Sequence, residues 1–191
     1  GIFRKVWLCE SPELRFGNDG IYVSTSKENG SWNVTVTSEL LQKEENSFAG
    51  VRVRQTILDR EEKVAAVCES DACAADSSCV PKGARVEGCR YSLTTQNLTI
   101  KNPNLWDIDD PYLYTLQSEI LVQGEVTQTI RQHFGFRTIA YTVDHGFFLN
   151  GRHVKLHGTC EHHDSGCLGA AFSVPALRRK FRKLREMGVN A

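Results

Sequence analysis

Five residues suited to acid–base, metal or sugar chemistry fall within one short stretch: His157, Glu161, His162, His163 and Asp164. Two carboxylates and several imidazoles can ligate a metal ion. They can equally decorate a loop with no chemical role. A third reading is a substrate-contacting loop, because imidazole both donates to and accepts from sugar hydroxyls. Adjacent histidines seldom converge on one ion, and this spacing matches no familiar metal motif, so no metal is expected. Seven cysteines offer a second chemistry: Cys9, Cys68, Cys73, Cys79, Cys89, Cys160 and Cys167. The middle four lack the CxxC…CxxC spacing of a zinc ribbon. They are expected to be free or locally paired within a surface insertion spanning 68–88, where large apolar residues are almost absent. The redox compartment stays open.

The elements around the histidines favour the third reading. Phe147 to Leu156 reads as a hairpin turning at Asn150-Gly151, the preferred type I′ pair. After the polar stretch 157–171 comes a helix. Ser173 stands at its N-cap, Pro175 in its first turn, and Gly188 at its stop. Val174, Leu177, Phe181, Leu184 and Met187 form an apolar stripe at steps of three and four. Val189-Asn190-Ala191 then looks like the start of another strand. The histidines therefore sit at the C-terminal end of a strand in a βα unit, where α/β barrels place active-site loops. A lone βα unit cannot cover its own faces. The stripe, with Val154 and Leu156, is expected to be covered by the sandwich or, in preference, by a second copy of the chain in a homo-oligomer.

The first 140 residues read differently. Short runs alternate apolar and polar residues: Phe3–Leu8, Ile21–Val23, Trp32–Val36, Val51–Leu58, Tyr91–Ile100, Tyr112–Val122 and Val126–Phe136. In the run Tyr91–Ile100, Tyr91, Leu93 and Thr95 share one face, and Leu98 and Ile100 continue it after a slip. Period-two alternation with one apolar face marks antiparallel sheets. Seven such runs separated by turn residues predict an immunoglobulin-like β-sandwich.

Composition sets limits. The 191 residues carry 23 Lys+Arg against 23 Asp+Glu. That balance opposes a nucleic-acid binder, and the basic helix face Arg178, Arg179, Lys180, Arg182, Lys183 and Arg185 reads as a solvated face. No apolar run reaches the length of a membrane span, so no membrane partner is expected. No cofactor is implied.

Several motifs together resemble glycoside hydrolase family 2, the β-galactosidase group. Gly1–Leu8 resembles the segment leaving that family's N-terminal jelly roll. Asn104-Leu105-Trp106-Asp107 with Pro111–Leu116 resembles its LW…PYLYTL signature, and Phe134–Ile139 its FGFR strand. Phe148–Gly158 resembles the opening of the catalytic barrel. Cys160–Ala171 resembles the HHDxGxLGAA loop of Bacteroidetes-type members, and Leu184–Ala191 resembles LKEMGxNA. The 68–88 insertion is unfamiliar, and Glu161 stands where relatives often carry Arg or an apolar residue.

The resemblance implies a bacterial, retaining β-glycosidase parent acting on β-galactosides, in the periplasm or the cytoplasm. Its two catalytic glutamates would lie on later barrel strands, about 5 Å apart. None of the acidic residues here matches them, so no catalytic residue is expected within this chain, which on its own should be inactive. His162 is carried over as a sugar contact, with His163 and Asp164 beside it. The expected fold class is mainly β: an immunoglobulin-like sandwich, then the truncated first βα unit of a TIM barrel. The domains expected are 1–10 (jelly-roll tail), 11–139 (sandwich) and 140–191 (barrel start). The alternatives are a carbohydrate-binding or adhesion-type immunoglobulin-like module, and a β-glucuronidase or β-mannosidase parent.

Overall fold

The computed structural model describes residues 5–43, 45–72, 88–162 and 165–191. They form two units, one of Ser11–Thr138 and one joining the N-terminal segment to Ile139–Ala191.

In the first unit, strict alternation produces seven strands in two antiparallel sheets, β1-β2-β5 and β4-β3-β6-β7. The strands are β1 (Arg15–Glu28), β2 (Ser31–Lys43), β3 (Val51–Leu58), β4 (Val64–Asp71), β5 (Cys89–Lys101), β6 (Tyr114–Val122) and β7 (Glu125–Phe134). This is an immunoglobulin-like sandwich with the fourth strand added to the second sheet. β6 and β7 turn at Gln123-Gly124, both with positive φ (52° and 89°), as a type I′ turn requires.

The strand membership differs from the sequence reading in three places. Residues 5–8 form no strand. β4 was not foreseen, and it takes in Cys68, so the expected insertion does not begin there; residues 73–87 lie outside the described set. β4 escaped notice because its pattern is inverted. Its inward positions are the small Ala66, Cys68 and Ser70, whereas Val64 (63% exposed) and Val67 (59%) face out. On β5 there is no slip. Ser92, Thr94, Gln96, Leu98 and Ile100 face the core, and Leu93 and Thr95 face out.

That inward row of hydroxyls and an amide belongs to a polar layer between two apolar clusters. One cluster centres on Trp32, Val34, Val36, Ile57, Leu116 and Phe136. The other centres on Phe16, Leu40, Phe48, Val51, Val53 and Ile120. Between them Gln55, fully buried on β3, donates to Ser38 Oγ on β2 (2.9 Å) and accepts from Ser118 Oγ on β6 (2.5 Å). Gln96 reaches from β5 to the carbonyl of Val53 (3.0 Å).

The LW…PYLYTL and FGFR stretches pack as one block. Trp106 N–H donates to the Phe136 carbonyl (2.8 Å), and the Arg137 guanidinium lies 5.0 Å from the Trp106 ring centroid. Phe136 meets Trp32 and Tyr114 edge-on at 5.4 and 5.0 Å between centroids. Gly135 allows the close approach, since a Cβ there would lie 3.1 Å from Trp106 Cβ. Tyr112 and Tyr114 hydroxyls accept from the Arg60 and Asn104 amides (3.2 and 3.0 Å), and burial raises the Tyr114 pKa.

In the second unit β8 (Ile139–Thr142), β9 (Gly146–Leu149) and β10 (Arg152–His153) form a small antiparallel sheet. β9 and β10 turn at Asn150-Gly151, with φ of 52° and 78°. Residues 154–156, read as strand from the sequence, continue past β10 without strand pairing of their own. One helix follows, α1 (Val174–Glu186). Ser173 occupies its N-cap, yet its side chain makes no capping bond. The C-terminus closes through Gly188 at φ 89°: Gly188 N donates to Arg185 O (2.9 Å) and Val189 N to Leu184 O (3.1 Å), a Schellman pair. Among the described residues α1 has none that is buried, and Phe181 is 56% and Met187 78% exposed.

The polar layer yields a stability test. Gln55→Ala opens a cavity and strands Ser38 and Ser118, and should cost about 3 kcal/mol. Ser118→Ala, which removes one bond, should cost about 1 kcal/mol. Urea denaturation of both variants measures this. Equal midpoints for Gln55→Ala and the parent chain would deny the layer a structural role.

Candidate functional site

The loop carrying the histidines is fixed at its start by Asn190. The Asn190 side chain accepts from His157 N–H (2.7 Å) and donates to the Lys155 carbonyl (3.0 Å). Its backbone N–H, and that of Ala191, donate to the His157 carbonyl at 2.9 and 3.2 Å. The chain therefore leaves 154–157, crosses through α1, and returns beside its starting point. Gly158 lies close to the returning segment: a Cβ there would sit 3.3 Å from the Ala191 carbonyl. The beginning of this path is anchored by Val154, buried, whose N–H donates to the Phe147 carbonyl on β9 (2.9 Å).

The loop's far end is a self-contained turn. Ser165 N–H donates to the Gly169 carbonyl (2.9 Å), Gly169 N–H to the Gly166 carbonyl (2.9 Å), and Ala171 N–H to the Leu168 carbonyl (3.1 Å). Between these ends Glu161 forms an ion pair with Lys180 of α1. That pairing answers the question raised by an acidic residue at position 161.

Glu161 and His162 line a recess of ≈ 270 Å³ with Ala171, Phe172, Leu177 and Phe181. Its lining combines apolar Phe172, Leu177 and Phe181 with polar Glu161, His162 and Ser165, a combination suited to a sugar ring with its apolar faces and polar edge. Of the residues expected to contact substrate, His162 is placed in this recess. His163 and Asp164 lie outside the described residues. His157 is held through its backbone. Among the described residues no group of three or more His, Cys, Asp or Glu is arranged to hold a metal ion. Cys160 and Cys167 flank the loop as free, exposed thiols.

Asn190 and Lys180 were not singled out by sequence reasoning. Asn190 carried a signal all the same, as a side chain able to donate and accept two residues beyond a glycine helix stop. Lys180 was one of six basic residues on its helix and had nothing to distinguish it.

The family model of glycosyl hydrolases family 2 matches residues 19–137. The chain belongs to that family. Over its whole length it is 36% identical to a β-galactosidase, BoGH2A, of Bacteroides ovatus, and covers 21% of that protein. It is 32% identical, again over its whole length, to a putative β-glucuronidase of Formosa agariphila and covers 16% of it. Among solved structures, a family 2 member from Bacteroides cellulosilyticus superposes with a TM-score of 0.79 at 30% identity, over 93% of this chain and 21% of that one. The chain thus spans about a fifth of the length of these relatives.

The Asn190 clamp can be tested directly. Asn190→Ala removes two side-chain hydrogen bonds at the strand end, each worth about 0.5–1.5 kcal/mol. The His157 amide should exchange with solvent at least about tenfold faster, while amides of β2 and β6 keep their rates. An unchanged His157 rate would show that the clamp holds nothing.

Proposed function

We propose that these residues are part of a retaining β-glycosidase, and that His162 contacts the sugar at its active site. The observation that carries the reading is the placement of His162. It lines a recess with Phe172, Leu177 and Phe181, on a loop between the segment anchored by buried Val154 and a helix, in a chain of glycosyl hydrolases family 2. In this reading residues 11–139 form a scaffold domain and 140–191 the first βα unit of a TIM barrel, with 1–10 the end of a preceding jelly roll. The apolar stripe of α1 is then the face that later barrel units cover, in preference to a second copy of the chain.

The reaction requires two carboxylates, one acting as acid/base and one as nucleophile. Glu161 serves neither role, because it is spent on Lys180. The two catalytic groups are therefore supplied by other parts of the enzyme. The part played by this chain is to bind and orient. The imidazole of His162 can donate to one sugar hydroxyl and accept from another, while Leu177 and Phe181 offer apolar surface to the ring.

A β-galactoside is the proposed substrate, on the strength of the 36% identical relative named as a β-galactosidase. A β-glucuronide is the second reading, since a 32% identical relative carries that name.

In the complete enzyme His162→Ala should lower kcat/KM at least about tenfold, the loss of a preorganised donor being worth on the order of 2–4 kcal/mol. The same enzyme assayed on nitrophenyl β-galactoside and nitrophenyl β-glucuronide decides the sugar. The 191-residue chain alone should cleave neither. Wild-type kinetics in the variant would remove His162 from the site, and cleavage by the isolated chain would refute the division of labour.

A further inference from the structure

We propose that the Glu161–Lys180 ion pair is a latch that positions His162. The loop is tied down by main-chain hydrogen bonds at His157 and again from Ser165 onward. Between these points the backbone of 158–162 makes no main-chain hydrogen bond to any other described residue. The ion pair from Glu161 to Lys180 is what joins this free stretch to α1. Glu161 adjoins His162, and consecutive Cα atoms are about 3.8 Å apart, so holding one residue places the next. Lys180 follows Leu177 and precedes Phe181, the two helix residues that line the recess with His162. Drawing Glu161 onto Lys180 therefore sets the imidazole against that wall.

The pair is suited to positioning more than to stability. Its side chains remain 33% and 38% exposed, and partly exposed pairs contribute little to global folding. Such a pair can still select one loop conformation among several of similar energy, and it weakens with salt. Glu161 and Lys180 are thus positioning residues, whereas His162 touches substrate. The inference rests on the proposed role of His162 only where catalysis is measured.

The test has two arms. In the 191-residue chain, hydrogen exchange of the 158–172 amides is compared among wild type, Lys180→Glu, Glu161→Lys, the double exchange Glu161→Lys/Lys180→Glu, and Lys180→Arg. The single reversals should speed exchange in 158–162 about threefold or more, and the double exchange and Lys180→Arg should restore wild-type rates. Sodium chloride at about 1 M should loosen the wild-type loop and leave the Lys180→Glu loop unchanged. In the complete enzyme, Lys180→Glu should lower kcat/KM on the preferred nitrophenyl glycoside about three- to tenfold, with recovery in the double exchange. Melting temperatures of the variants should stay near wild type. Exchange rates indifferent to Lys180→Glu, or a double exchange as impaired as the single reversals, would overturn the latch. If exchange responds and is rescued but His162→Ala keeps full activity, the latch stands and the reading of His162 as a sugar contact fails. If His162→Ala abolishes activity while Lys180→Glu leaves both readouts unchanged, the reverse holds.

Discussion

Gln55 is fully buried between two sheets, and both ends of its amide are engaged, by Ser38 on the facing sheet and Ser118 on the neighbouring strand. That arrangement restrains the sandwich in a way its apolar residues cannot. Sliding a strand by one residue turns its core face to solvent, and alternation alone forbids it. Sliding by two residues preserves alternation and exchanges one aliphatic for another, as Val34 for Val36 or Val51 for Val53. Such a slip would separate Gln55 from its two hydroxyls and leave a buried amide unpaired, at a cost of about 1–3 kcal/mol. The side chain of Gln96, bonded across the sheets to the Val53 carbonyl, adds a second pin. Apolar clusters on either side supply the driving force for burial, and the polar layer between them selects the register.

How far the sequence disclosed this depends on what each strand shows to the core. β2, β3 and β6 face a deep interior, and their large apolar residues made the alternation plain. β4 runs along the sheet edge, where small Ala66, Cys68 and Ser70 suffice inside and two valines point outward. A period-two reading that equates apolar with inward cannot find such a strand. β5 misled in the same way, because its core face begins with Ser92, Thr94 and Gln96, and the outward Leu93 attracted the wrong parity. The polar layer that fixes the register is thus also what hid the strands contributing to it.

The candidate site divides along a similar line. His162 stood out in the sequence because of its type and its place after an expected strand. The hairpin at Asn150-Gly151 and the Gly188 helix stop were legible because few residues tolerate those backbone angles. The residues that hold the loop were harder to see. Asn190 and Lys180 act through partners 33 and 19 positions away, and no local pattern in the chain announces a pairing at that separation. Glu161 is instructive, since an acidic residue beside two histidines invites a catalytic reading and the geometry gives it a structural one.

The block formed by Trp106, Tyr112, Tyr114, Gly135, Phe136 and Arg137 has a bearing on how proteins of this kind are recognised. Those residues make up the most distinctive motifs of the chain, and every one of them serves to close the end of a sandwich. The most distinctive motifs of the chain therefore report its sandwich, while the loop around His162 belongs to the other unit.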